Sequence, residues 1–385
     1  RLAAFDLLNA VLEKRRTLDE ALAGLPAIDP RDRAAAHRLA AAVLRRAGTL
    51  DAVLEPFLRK APPDPVRNIL RLGAAALLLL ETPPHAAVAT AVGLARARGL
   101  APFTGLVNAV LRKVAVASLD GLDSPRLDTP PWLWASWGRD ARAIAEAHQH
   151  EAAIDLSLKP GAVAPPGGVE LPTGSWRYPP GTRVAELAGF AEGDFWVQDA
   201  AAALPALVLA PQRGERIADL CAAPGGKTAQ LAAAGAEVTA VEHNPARLAR
   251  LRENLARLRL TAATVQADVF TWQPDVAFDA VLLDAPCTAT GTIRRHPEIL
   301  HLRRPRDVAT MAVQQDRLLA AACAMLRPGG RLVYAVCSLQ PEEGPARIAE
   351  ALATLPLRAA PIADCLVPQA ITAEGCLRTT PAMMG

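Results

Sequence analysis

Lysine is nearly missing from this chain. Lys14, Lys60, Lys113, Lys159 and Lys227 are the whole supply, so arginine carries almost all of the 42 basic side chains. Against 39 acidic residues they leave a formal net charge of +3, which excludes a global basic field. A polyanionic partner must then be held by local patches. Arginine suits that task, because guanidinium forks onto phosphate and stacks on bases; a GC-rich genome, which inflates Arg, Ala and Pro together, explains the same excess. The six cysteines (Cys221, Cys287, Cys323, Cys337, Cys365 and Cys376) form no C-x-x-C pair, which argues against a structural zinc, and no metal is expected. Nothing resembles a small disulfide scaffold, so a reduced, cytoplasmic setting is the expectation. No secretory signal is visible. The longest apolar run, residues 72–80, is far too short to span a bilayer, and no membrane partner is expected. The chain starts at Arg1 and stops at Gly385, and both ends are expected to be trimmed.

What is present is enough hydrophobic residue, 51%, for a substantial core, and a length that suggests two or three domains. Residues 1–118 read as an all-helical bundle. Leu2, Phe5, Leu8, Val11 and Leu12 recur at helical spacing, and further helical runs cover 30–47, 49–60, 65–80, 86–98 and 104–116. Pro62-Pro63, Pro83-Pro84 and Gly99 punctuate them. Residues 119–210 read as a linker and a small α+β subdomain, with a helix over 132–150 and short apolar runs at 153–158 and 195–197. From 211 to 385 the rhythm becomes alternating strand and helix. Strands are predicted at 216–221, 237–242, 263–268, 278–284 and 331–338, and helices at 227–234, 245–258, 307–326 and 342–353. That alternation implies an α/β fold, a parallel, doubly wound sheet. Its ligand sits beyond the carboxyl ends of the strands.

The first of those strands ends in Asp219-Leu220-Cys221 and runs into Ala222, Ala223, Pro224, Gly225, Gly226 and Lys227. Two glycines allow a sharp turn and close approach of a ligand to backbone. The run is neither a P-loop nor G-x-G-x-x-G, which disfavours a phosphate ligand. Glu242, at the second strand end, suits both hydroxyls of a ribose, and Asp268, at the third, suits an adenine amino group. Taken singly, Glu242 has a solvated glutamate as its lesser alternative, and Asp268 reads equally as a helix cap. Taken together, the three strand ends point to an adenosine-containing ligand without a polyphosphate, a description that S-adenosylmethionine fits.

The fourth strand delivers Asp284 and Cys287, and the fifth delivers Cys337, to the same edge of the sheet. C5 of a cytosine is a poor nucleophile. A thiolate adding to C6 converts the ring to an enamine that attacks an electrophilic methyl group, with help from a carboxylic acid at N3. Free cysteine titrates near pH 8.5, so the nucleophile needs nearby positive charge, for which Lys227 and the Arg294-Arg295-His296 loop are the sources. Cys323, Cys365 and Cys376 read as small buried hydrophobes, and Cys221 as a packing residue inside the glycine turn.

Residues 219–227 (DLCAAPGGK), 284–291 (DAPCTATG), 294–298 (RRHPE) and 335–338 (AVCS) resemble the RNA cytosine-5 methyltransferases, most closely the bacterial RsmB/Sun (Fmu) family, which methylates a cytosine of small-subunit 16S ribosomal RNA. Residues 83–86 (PPHA) with 105–112 (GLVNAVLR) resemble that family's NusB-like RNA-binding domain. The resemblance covers essentially the whole chain. It implies a Rossmann-like methyltransferase domain behind a NusB-like helical bundle. It implies that Cys221–Lys227 line the S-adenosylmethionine site, with Glu242 on the ribose, Asp268 near the adenine and Asp284 between cofactor and base. It also implies that Cys337 bonds to C6 while Cys287 assists release. Two departures stand out: Val336 where the family has Thr, and Thr288 where it has Ser. The family's last strand, a Gly-Phe-Phe-type segment, is expected beyond Gly385.

Arg294, Arg295, His296, Arg303 and Arg304, with Arg306, are expected to grip the phosphates of ribosomal RNA, against the alternative of a solvated charge run. Arg45, Arg46, Arg59, Lys60, Arg112 and Lys113 give the helical part scattered basic turns. Trp176, Trp196 and Trp272 read as core. A monomer is expected. Two other readings stay open from sequence: an S-adenosylmethionine methyltransferase with a uracil or small-molecule acceptor, and a non-catalytic RNA-binding or antitermination factor.

Overall fold

Start signals decide where the first helices lie. Thr17 accepts a hydrogen bond from the Glu20 amide while the Glu20 carboxylate accepts from the Thr17 amide, a capping box that launches Leu18–Ala23, a helix the periodicity did not predict. Asp29 caps Pro30–Arg45 with proline at its first position, and proline likewise opens Asp64–Leu78 and Pro84–Ala97. With Leu2–Leu12, Ala47–Leu54 and Thr104–Val114 these helices bury Leu7, Leu8, Leu44, Leu50, Ile69, Leu70 and Leu111 completely. Each such side chain contributes about 1.5–3 kcal/mol of transfer free energy. The stretch expected as one helix over 132–150 is two, Pro131–Trp137 and Ala141–His148, because Gly138 turns the chain at φ +57°.

The computed structural model describes residues 1–362 and 366–383, and Cys365 falls outside them. It divides into two compact units. The first comprises Arg1–His150 together with Thr292–Arg304. The linker expected at the start of 119–210 holds a short helix, Ser124–Asp128. Its last residue, Asp128, is buried and accepts from the Thr49 amide (2.7 Å), the Thr49 hydroxyl (2.7 Å) and Arg46 Nε (2.9 Å). Arg46, one of the expected basic turns, is therefore tied up in the fold, and Arg45 is buried; Arg59, Lys60, Arg112 and Lys113 are exposed.

The second unit contains Glu151–Gly291 and continues from Pro305. Strands β1 (Ile154–Leu158), β2 (Val169–Glu170), β3 (Trp176–Tyr178) and β4 (Phe195–Val197) form a small antiparallel sheet in the order β2-β3-β1-β4. Asp155 is buried there against Arg177 (2.7 Å). Strands β5 (Arg216–Leu220), β6 (Glu237–Val241), β7 (Ala263–Val265), β8 (Phe278–Asp284) and β9 (Leu326–Ala335) form a parallel sheet ordered β7-β6-β5-β8-β9. Ile217, Ala218, Leu220, Val281, Leu282 and Leu283 are fully buried, as strands covered on both faces require. Helices Gly226–Ala233, Pro245–Leu258, Pro305–Ala324 and Pro345–Thr354 supply the cover. The strand order reverses between β5 and β8, so the crevice for a ligand opens beyond the ends of those two strands. Among the described residues no helix is long and apolar enough to cross a membrane.

Candidate active site

The loop after β5 is held in place by its neighbours. Cys221 adopts φ +59°, and Gly225, at φ +101°, caps Gly226–Ala233. Arg247 donates to the Ala223 carbonyl (2.7 Å) and Asn254 to that of Pro224 (2.9 Å). Both come from the helix Pro245–Leu258, and neither stood out in the sequence. Burial, followed by the charges of Glu242, Asp284 and Asp219, pushes the Cys221 thiol up to about 12. It stays protonated, consistent with a packing role.

Beneath the loop, Asp219 is wholly buried and accepts from the Thr228 hydroxyl (2.5 Å). Burial raises its carboxyl to about 7, against the lowering influence of Thr228 and Lys227. Lys227 Nζ lies 2.8 Å from Asp284 Oδ2 at the end of β8. Burial alone would lower the Lys227 ammonium, but the charge and hydrogen bond of Asp284, then Asp219 and a negative charge on Cys337, hold it above its ordinary value.

Glu242 follows β6 directly and is 1% exposed. Its Oε1 accepts the Asn244 amide (2.9 Å), while Oε2 takes no hydrogen bond from any described residue; Arg247 Nη1 is its neighbouring charge at 3.4 Å. A buried carboxylate oxygen left open at this crevice fits a pair of ribose hydroxyls. Asp268 is placed differently from the expectation: β7 stops at Val265, and Asp268 is an exposed residue of the following turn, where it accepts the Phe270 amide (3.0 Å).

The two sulfurs of interest meet. Cys287 Sγ and Cys337 Sγ are 3.4 Å apart, within hydrogen-bond reach and without a disulfide between them. The backbone arranges this, since the Ala285 amide donates to Ala335 O and the Gly291 amide to Cys337 O, both at 2.9 Å. A Cβ on Gly291 would stand 2.8 Å from Cys337 O, so only glycine allows the approach. β9 ends at Ala335, three residues earlier than a strand over 331–338 would, and the nucleophile candidate sits on the loop beyond it. Cys337 is exposed. Cys287 is pushed well above its ordinary value, first by its hydrogen bond with Cys337 and by burial, then by negative charge on Cys337 and Glu343. The pair is thus unequal: one sulfur is open to solvent and the other retains its proton. Val336 lies among the apolar residues behind the sheet.

Of the expected RNA-gripping residues, Arg294, Arg295, His296, Arg303 and Arg304 belong to the first unit. Arg294 offers its carbonyl to Arg45 (2.8 Å), His296 lies beside buried Glu298 (3.6 Å), and His301 meets the Leu44 carbonyl (2.7 Å). Arg295 and Arg304 are exposed, and Arg303 is partly so. Among the described residues no cluster suited to a metal occurs. Trp196 is buried, and Trp176 and Trp272 pack partly buried against apolar clusters.

A parallel sheet in this order, with a glycine turn after its first strand and a buried acid after its second, defines a Rossmann-like methyltransferase that uses S-adenosylmethionine, here behind a NusB-type helical domain. Known proteins agree. A family model described as 16S rRNA methyltransferase RsmB/F matches residues 206–379, and the NusB family model matches residues 1–116. Ribosomal RNA small subunit methyltransferase B of Xanthomonas campestris pv. campestris is 38% identical over 90% of this chain and 86% of its own length. The protein of that name from Vibrio cholerae is 37% identical over 89% and 86%. The crystal structure of PH0851 shares the fold, with TM-score 0.78 at 22% identity over all of this chain and 96% of that one. The chain belongs to the RsmB/F family of S-adenosylmethionine-dependent methyltransferases of small-subunit ribosomal RNA.

The open oxygen of Glu242 has a measurable consequence. Glu242→Gln is expected to weaken S-adenosylmethionine binding about tenfold to a hundredfold, the range for losing a hydrogen bond to a charged acceptor. Calorimetric titration reads this directly; an unchanged dissociation constant removes Glu242 from the cofactor site.

Proposed function

We propose that this protein methylates C5 of a cytosine in small-subunit ribosomal RNA through a transient bond between Cys337 and C6. The observation that carries the reading is the convergence of two thiols, 3.4 Å apart and not joined in a disulfide, with the Lys227–Asp284 pair, 2.8 Å apart, at the carboxyl ends of β5, β8 and β9. In this reading residues 1–118 are an RNA-binding NusB-like module, 119–210 a connector and small subdomain, and 211–385 the methyltransferase core. Cys221, Ala222, Ala223, Pro224, Gly225, Gly226 and Lys227 line the cofactor, Glu242 binds its ribose, and Asp268 and Asp284 complete the cradle. S-adenosylmethionine, when bound, supplies an electrophilic methyl group.

The residues divide the remaining work. Lys227 favours the thiolate of Cys337 electrostatically. As that sulfur bonds to C6, the ring's displaced electron pair moves toward N3, which takes a proton from the Lys227–Asp284 pair. C5 then has enamine character. After C5 is methylated, its proton passes to water, the C5–C6 double bond re-forms, and Cys337 leaves as a thiolate while N3 returns its proton to the pair. Cys287, still a thiol, donates a hydrogen bond to the departing sulfur. The target base must be out of its stack, which costs a few kcal/mol and less in a loop. Exposed Arg295 and Arg304, with Arg303, bind phosphates of the RNA, and Arg294 and His296 brace that segment.

Small-subunit ribosomal RNA from cells lacking this protein, incubated with it and methyl-labelled S-adenosylmethionine, is expected to yield label in 5-methylcytidine on nucleoside analysis. Label in a methylated uridine or another nucleoside overturns the cytosine reading, and RNA binding without label overturns the enzymatic one.

A further inference from the structure

One buried carboxylate outside the catalytic set touches the loops of both cysteines. Glu343 is 0% exposed. Its Oε1 accepts the Thr288 amide (2.9 Å) and Gln315 Nε2 (3.1 Å); its Oε2 accepts the Thr288 hydroxyl and the Ser338 hydroxyl (2.5 Å). Thr288 immediately follows Cys287 and Ser338 immediately follows Cys337. The two hydroxyls also lie 3.1 Å from each other. Gln315 Nε2 reaches the Pro286 carbonyl as well (2.9 Å), and the Tyr334 hydroxyl donates to the Glu343 carbonyl (2.6 Å).

The chemistry of this cluster is unusual for a structural knot. A carboxylate removed from water is costly unless paired or saturated with hydrogen bonds. Among the described residues no lysine, arginine or histidine forms an ion pair with Glu343, and four donors from two loops and a helix serve it instead. A fully satisfied polar network fixes geometry more tightly than apolar packing does. Fixed geometry is what a handover between two sulfurs demands, because a displacement of about 1 Å costs a reaction on the order of a hundredfold.

We propose that Glu343 is a positioning residue for methyl transfer, holding the loops of Cys287 and Cys337 in register so that release of the covalent RNA intermediate can follow methylation. This deepens the covalent reading given above and rests on it. The negative charge of Glu343 acts in the same sense, since it helps keep Cys287 a thiol able to hydrogen-bond the departing sulfur. Thr288 gains a reason as well. Its hydroxyl makes the same contact that a serine would, and the added methyl is accommodated at a wholly buried position.

The test is Glu343→Gln in the full-length protein, which keeps the shape and replaces one accepting oxygen by a donor. The expected result is a fall in kcat of about tenfold or more, the equivalent of one lost charged hydrogen bond. KM for the RNA and the dissociation constant for S-adenosylmethionine should stay within about twofold. Denaturing gels should show more RNA–protein adduct at steady state than the unaltered protein gives, because release slows more than formation. Ser338→Ala, which removes one donor and leaves the carboxylate satisfied by three, should show the same pattern more weakly, and it decides the matter if Glu343→Gln does not fold. Glu343→Gln with normal kcat and no extra adduct overturns the proposal. So does a loss of kcat accompanied by an equal loss of RNA affinity and melting temperature with no adduct, the mark of a purely structural residue. Cys287→Ala in the same assay separates the two levels: adduct there with unaltered behaviour in Glu343→Gln removes the role of Glu343 alone, whereas no adduct in Cys287→Ala removes the covalent reading and this inference with it.

Discussion

Cys337→Ala is expected to abolish methyl transfer, with a loss on the order of 10⁴-fold or more, while S-adenosylmethionine binds as before. The size follows from the role. Without a sulfur at C6, C5 has no enamine character, and an activated nucleophile that acts as part of a unit is worth several powers of ten when removed. The sparing of cofactor binding follows from placement. Cys337 is an exposed residue on the loop after β9, whereas the residues proposed to hold the cofactor lie after β5, β6 and β7 and, with Asp284, at the end of β8. Its Sγ has Cys287 Sγ 3.4 Å away. Little packing is lost on truncation to alanine, so stability should change by less than about 1 kcal/mol, as for exposed positions generally. Single-turnover methylation with labelled cofactor and a parallel binding titration give both numbers. Residual activity within tenfold of the unaltered protein would show that the thiol at 337 is not the nucleophile.

The parallel sheet was readable because its rules are local. Apolar runs bounded by glycine and proline, Asn244 before Pro245, and acids at strand ends placed β5, β6, β8 and the helices between them within a residue or two. The five-stranded order then brought Asp284, Cys287 and Cys337 to one rim, as the alternation of strand and helix implied. Other parts depend on partners far away in the chain. The strands of the small antiparallel sheet are two to five residues long, and they acquire meaning only through pairings such as Leu156 with Val197. Asp128 reads as a linker residue until Thr49 and Arg46 close on it from about eighty positions upstream. Residues 292–304 read as a phosphate-gripping run, with a solvated charge run as the alternative, and neither reading shows that Ile293, Glu298, Ile299 and Leu300 are buried within the first unit, where Leu18 donates its amide to Glu298 at 3.3 Å. Glu343 was hidden for the same reason. In sequence it falls inside the helix predicted at 342–353; the helix instead begins at Pro345, and the four donors of Glu343 come from residues 288, 315 and 338.

Cys287→Ala is expected to do the opposite of Cys337→Ala, arresting the reaction after the bond to RNA has formed. Cys337 and Lys227 remain, so addition to C6 proceeds, and so does methylation at C5. What is lost is the thiol 3.4 Å from the sulfur that must depart. A thiolate leaving a carbon builds negative charge in the transition state, and a hydrogen-bond donor aimed at that charge is worth about 2.7–4 kcal/mol in comparable sites, or on the order of a hundredfold to a thousandfold in rate. With formation intact and breakdown slowed by that factor, most of the protein in contact with substrate should carry RNA covalently. It should migrate as a slower band on denaturing gels, and the band should collapse on nuclease treatment. The band should require both S-adenosylmethionine and a cytosine at the target position. The double variant Cys287→Ala with Cys337→Ala should show none. A band formed by Cys337→Ala alone would exchange the roles of the two sulfurs, making Cys287 the nucleophile despite the negative charges of Cys337 and Glu343 that favour its protonated form.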